Sequence, residues 1–311
     1  MVEFLFVLQE FLRFYYFYII MTEISAQFKE IWSQLQERIR IESPLPFVYD
    51  NFEDIDNLYS KLVEKLFKGK YTYYDLIEDK ECLQSLRESA RKGEESAYCY
   101  FPLLEDRLMQ YSFIVPNEKY RAAIFEVGIL ISPKNEEKNV HFLHEGIHLL
   151  YLERFPELPI MTNYPPAFVP NESVRCLFAS YYYHLHEAMT YLTTIRLSDI
   201  VGMKRKEAWK FFYDIMSKLG RRSAQVIKYM VMLLDNEKHD FLDPLKILKK
   251  HGPSTIRAYL KEFGFKVYNE QSLARKLVSD LTFMRNNFDI ELFRMYPDGS
   301  IEKLERKSKE F

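Results

Sequence analysis

A helix that is apolar on nearly every side yet carries three histidines and a glutamate cannot be ordinary core, and one stretch of this chain has that character. Residues 141–151 read HFLHEGIHLLY, and His144-Glu145-Gly146-Ile147-His148 within it is an H-E-x-x-H pattern. Helical residues four apart lie on one face, one turn above the other, so His144 and His148 aim two imidazoles at one point. Glu145 sits one step round, where its carboxylate reaches a water at that point without being a ligand. That is the placement of a general base in metal-assisted hydrolysis. The spacers Gly146 and Ile147 are uncharged, as are Phe142, Leu143, Leu149 and Leu150 on either side. Buried and unpaired, the polar groups would be costly, and a metal ion removes that cost. The competing readings are a surface helix with incidental His and Glu, or core histidines satisfied by hydrogen bonds.

A second helix is expected from Asn171, a good N-cap after Pro170, to about Leu197. It carries an apolar set and a polar stripe, Ser180, His184, Glu187, Tyr191 and Thr194, spaced by three or four. Lys and Arg, the usual residues of a solvent-facing stripe, are absent between Cys176 and Ile195. The stripe therefore faces something polar inside the protein. A zinc site with three protein ligands and an open fourth position would suit it.

The HFLHEGIHLLY segment resembles the active-site helix of zincin metallopeptidases. The resemblance covers that helix and, more loosely, about seventy residues after it. It implies an α+β, predominantly helical fold: a zincin-like core with a small sheet before the metal helix, and one Zn2+ per chain. In the gluzincin branch the third ligand is a Glu on a later helix, and Glu187 matches by type and context. His184 and His186 are the alternatives for that position. The branch often has an Asp one turn after the Glu; Tyr191 stands there instead, and His141 stands where the longer pattern has Val or Thr. The metzincin pattern does not apply, because Tyr151 and Arg154 occupy its Gly and His positions. By the resemblance the chain is a peptidase acting on a peptide or protein substrate, with Glu145 as base. Tyr191, His184 or Tyr164 would steady the oxyanion, with His239 and His251 as further candidates. The alternative is a non-catalytic regulatory or partner-binding protein that keeps the helix as architecture. Other divalent ions would also suit a His, His, Glu set.

The rest of the chain is less specific. Its 311 residues support a full core. We expect an apolar segment at 1–21, a helical part at 22–118, the metal-binding core at 119–235, and helices with a β-hairpin at 236–311. A net charge of −2 gives no electrostatic case for nucleic acid or an acidic membrane. The three cysteines, Cys82, Cys99 and Cys176, form no C-x-x-C, which leaves a cytoplasmic protein as the default. Nine glycines without a phosphate-cradling loop argue against glycine-loop nucleotide folds. Residues 1–21 are rich in aromatics, but Glu3, Glu10 and Arg13 interrupt them. They read as a packed amphipathic helix or, if Met21 is the start, as no part of the protein; a membrane anchor is the minority reading. Helices are expected at 23–41, 54–67, 75–92, 136–155, 204–219, 222–234, 254–263 and 271–286. The last two could be a DNA-binding pair, though the charge footprint is weak. One strand is expected at 121–132, where a zincin would pair its substrate. A hairpin is expected at 289–307 around Pro297-Asp298-Gly299.

Overall fold

The computed structural model describes residues 26–49, 120–126, 128–131, 136–158, 172–265, 269–298 and 300–304, with isolated positions between 54 and 64 and Met161. The apolar 1–21 segment, the helix expected at 75–92, Cys82, Cys99 and Tyr164 lie outside these residues. Among the described residues, no helix is long and apolar enough to cross a membrane.

The architecture is predominantly helical. Helix α1 covers 26–39, α2 Lys138–Arg154, α3 Glu172–Arg196, α4 Arg205–Lys218, α5 Arg221–Leu234, α6 Pro244–Phe263 and α7 Glu270–Asn287, with a 3-10 turn at Ser198–Val201 after α3. Caps account for several ends. Asp243 accepts from the Leu245 amide at 2.8 Å with Pro244 in the first helical position, and Asn269 accepts from Ser272 at 2.9 Å. Gly264 ends α6 at φ 79°, in the left-handed region that glycine enters without penalty.

Helix α6 corrects one expectation. The short unit expected at 254–263 is the second half of a helix that runs through Gly252-Pro253 without stopping. Proline removes one helical hydrogen bond and crowds the turn before it. Packing outweighs that cost here, because a Cβ on Gly252 would lie 3.2 Å from Ala274 Cβ. The glycine lets α6 and α7 approach closely, and Ile247, Leu248 and Ile256 of α6 and Leu277 and Leu281 of α7 all belong to the buried core.

The strand expected at 121–132 is two strands. β2 (Tyr120–Glu126) and β3 (Ile129–Leu130) are separated at Gly128, whose φ is 140° and whose Cβ, if present, would lie 2.5 Å from the Phe47 carbonyl oxygen. β3 pairs in parallel with β1 (Val48–Tyr49), while β2 pairs in parallel with β4 (Phe288–Met295), giving the order β2-β4-β5 with β5 at Ile301–Leu304. The expected hairpin is present: β4 and β5 are antiparallel, and Tyr296 N–H donates to the Ser300 carbonyl at 2.9 Å. The strands form two small sheets: β1 and β3 both come before α2, whereas the three-stranded sheet joins β2 to β4 and β5, which follow α7.

Helix α2 is the centre of the molecule. Twelve of its residues are buried, Val140 through Ile147 and Leu149 through Leu152. Phe142 stacks on Phe28 of α1 at 4.3 Å, His141 meets Phe211 of α4 at 5.1 Å, and Tyr151 stacks on Phe241 before α6 at 4.1 Å. Such aromatic pairs add about 0.5–1.5 kcal/mol each beyond their burial. Gly146 leaves room for a neighbour, since a Cβ there would lie 3.0 Å from Trp32 Cζ3. The motif's glycine is the seat for Trp32, whose indole N–H donates to the Ser43 carbonyl at 3.0 Å.

Candidate metal centre

Two helices bring the site together. α2 supplies His144 and His148, and α3 lies against it with Glu187 facing them. His144 Nε2 and His148 Nε2 are 3.2 Å apart, and His148 Nε2 is 3.6 Å from Glu187 Oε1. The ligand atoms of the three residues all lie within 4.8 Å of one another. Ligands on a tetrahedral zinc with bonds of roughly 2.0–2.1 Å are about 3.3 Å apart. Two edges of the triangle are already near that spacing. His144, His148 and Glu187 form a group able to hold a metal ion.

The hydrogen bonds on the outer ring nitrogens explain why these faces meet. His144 Nδ1 is 3.1 Å from Thr194 Oγ1, and that hydroxyl donates to the Thr190 carbonyl at 2.9 Å. His148 Nδ1 has Thr190 Oγ1 at 3.3 Å and His186 Nε2 at 3.3 Å. Each histidine is thus held from behind by α3, with its Nε2 pointed at the other. Tyr191 packs on the His144 ring, centroids 4.3 Å apart and planes tilted by 34°.

Burial sets the electrostatics. His144 is 5 % exposed and Glu145 6 %. Burial, reinforced by His141 and His186, pushes the His144 imidazole down to about 3. His148 is driven well below its ordinary value by burial and then by His186 and His144, and His186 falls to about 4 by burial. Glu145 moves the other way, up to about 8, because burial and the nearby Glu187 both disfavour its charge. The metal-free site therefore holds neutral imidazoles beside Glu187 and a Glu145 carboxyl that keeps its proton near neutrality. Two ring nitrogens 3.2 Å apart either share a proton as a hydrogen bond or, with both lone pairs turned inward, call for a cation between them. That chemistry suits a cation with nitrogen and oxygen ligands.

Of the other expected residues, Tyr191 is in the cluster, against His144. His186 touches the back of His148 and does not belong to the converging group. His184 turns to the other neighbour of α3: its Nδ1 is 2.5 Å from the Ser180 carbonyl, and its ring packs on Tyr259 and Phe263 of α6. One polar stripe thus serves two neighbours, α6 over its first half and α2 over its second. His251 Nε2 is 2.5 Å from Glu237 Oε1, and the His239 carbonyl accepts from Arg196. Arg196, the partner a merely buried Glu187 would call for, donates to the carbonyls of Leu234, Asp235, Glu237 and His239. Sequence reasoning misses Thr190 and the role of Thr194; their positions three and seven after Glu187 are the signal that marks them.

No family model, no curated protein and no solved structure matches this chain. What the site can do therefore follows from its own geometry.

Proposed function

We propose that the protein is a zinc-dependent hydrolase, most simply a peptidase, with His144, His148 and Glu187 as metal ligands and Glu145 as general base. The observation that carries this reading is the convergence of three ligand atoms within 4.8 Å, with a fourth ionisable group, Glu145, on the next helical position. The converging group has three protein members among the described residues, which is the ligand count of catalytic zinc rather than of closed structural sites. A bound divalent cation would acidify water and polarise a carbonyl oxygen. Glu145 takes a proton from the attacking water as its oxygen joins the amide carbon, then gives that proton to the departing amine as the C–N bond breaks. A carboxyl brought up to about 8 by burial holds its proton near neutrality; the same carboxyl beside a cation is drawn back down toward the working range of a base. Tyr191, against His144, is the group we assign to orienting substrate or ligand. The partner would be a peptide or protein backbone.

A second reading, a non-catalytic metal-holding or partner-binding protein, is favoured by the enclosure of His144 and Glu145. Two measurements separate the two readings. Metal content per chain, in protein purified without a metal-affinity tag, should be one zinc, lost in His148→Ala and in Glu187→Ala. Turnover of a peptide library should vanish in Glu145→Gln while zinc stays. One zinc with no turnover would give the site to the non-catalytic reading, and no zinc uptake would sink the hydrolase and leave the partner-binding reading.

A further inference from the structure

The hydroxyl of Thr194 has a single hydrogen and two neighbours, the Thr190 carbonyl at 2.9 Å, which can only accept, and His144 Nδ1 at 3.1 Å, which can donate or accept. The arrangement that satisfies both neighbours has the hydroxyl donating to the carbonyl and accepting from His144 Nδ1. His144 must then carry its proton on Nδ1 and leave Nε2 as a bare lone pair. Thr194 is 1 % exposed and Thr190 0 %, so water does not offer an alternative partner. Nε2 of His144 is the nitrogen that faces His148 Nε2 at 3.2 Å.

We infer that Thr194 is a positioning residue that locks His144 in the Nδ1–H tautomer and so readies Nε2 as a ligand before any metal arrives. The inference rests on the metal-centre reading for its consequence, but not for its geometry. A neutral hydroxyl in this position orients the imidazole without adding charge. His144, His148 and Glu187 would therefore share one negative charge, and the cation would stay more electron-poor than with a carboxylate behind the ring. Helix α3 is the source of the whole layer: Glu187 as ligand, Thr190 behind His148 and Thr194 behind His144, at intervals of three and four residues.

The test uses the full chain, with Thr194→Val, which keeps the shape and removes the acceptor, and Thr194→Ser, which keeps the hydroxyl. In metal-free protein, 15N-labelled histidine spectra near neutral pH should show His144 protonated on Nδ1 in the wild type and in Thr194→Ser, and divided between both nitrogens in Thr194→Val. Competition for zinc against a chromophoric chelator should show affinity about 10–100-fold weaker in Thr194→Val, as for other residues that support metal ligands from behind, and restored in Thr194→Ser. A wild-type His144 protonated on Nε2 would overturn the inference. So would a Thr194→Val protein with unchanged zinc affinity. Should Thr194→Val fail to fold, the wild-type and Thr194→Ser spectra still decide the tautomer. A wild-type protein with the Nδ1 proton in place and no affinity for zinc would refute the metal-centre reading and leave Thr194 its role.

Discussion

At the scale of single residues, the site's ionisable groups pull against one another, and this fixes how the metal-free protein should respond to pH. An unfolded histidine takes a proton near 6.5, whereas His144 and His186 in the fold do so only at about 3 and about 4. Below pH 6.5 the unfolded chain binds protons that the fold does not, so stability is lost as pH falls through that interval. Glu145 acts oppositely: its unfolded carboxyl ionises near 4.5 and its folded one at about 8, so its contribution is lost as pH rises between them. With more histidines than glutamates on these terms, the metal-free protein should be most stable near pH 6.5, and bound zinc should flatten both flanks. Denaturant midpoints taken across pH, with chelator and with zinc, check this. Glu145→Gln should lower turnover by about 10²–10⁴-fold without loss of zinc. Much of this is legible in the sequence. The H-E-x-x-H spacing marks His144, Glu145 and His148, and the cation-free stripe marks Glu187. Thr190 is legible only in part: its spacing from Glu187 puts it on the same helix face, but a threonine in a helix declares no role until a ring nitrogen is seen behind it.

At the scale of elements, periodicity foretells the helices, and the exceptions have physical causes. Gly252-Pro253 is a local stop signal, yet α6 passes through it; the close approach to Ala274 is a tertiary effect that local chemistry cannot report. Residues 121–132 are mostly apolar and run up to a Pro133-Lys134-Asn135 turn signal, which suggests one strand, yet Gly128 turns the chain between two sheets. Gly128→Ala should therefore cost about 1–3 kcal/mol from backbone strain alone, and more from the contact with the Phe47 carbonyl, measured as a lowered denaturant midpoint. Gly146→Leu should expel Trp32 from its seat on α2 and cost about 1–3 kcal/mol as an overpacked core does. It should weaken zinc binding too, because the same helix turn carries His144 and His148. A Gly146→Leu protein as stable as wild type would show that Trp32 does not depend on that seat.

At the scale of the whole molecule, the ligand group joins α2 to α3, two helices with the chain from 155 to 171 between them. Anything that binds the fold and not the unfolded chain adds stability in proportion to the logarithm of its excess. Zinc at a hundred times its Kd should add about 2.7 kcal/mol, read as a rise in Tm that chelator reverses and that His148→Ala and Glu187→Ala lack. The helical character of the fold is legible at this scale; which strand pairs with which is not, because β2 and β4 lie far apart in the chain and their pairing leaves no local trace. The single stripe on α3 has a consequence for heredity. Each helical residue advances the face by about 100°. One codon inserted between Glu187 and Thr190 would swing both threonines away from the histidines while leaving every ligand in place. A lineage can therefore lose the support without losing the motif, and a scan for H-E-x-x-H alone would count such a descendant as intact.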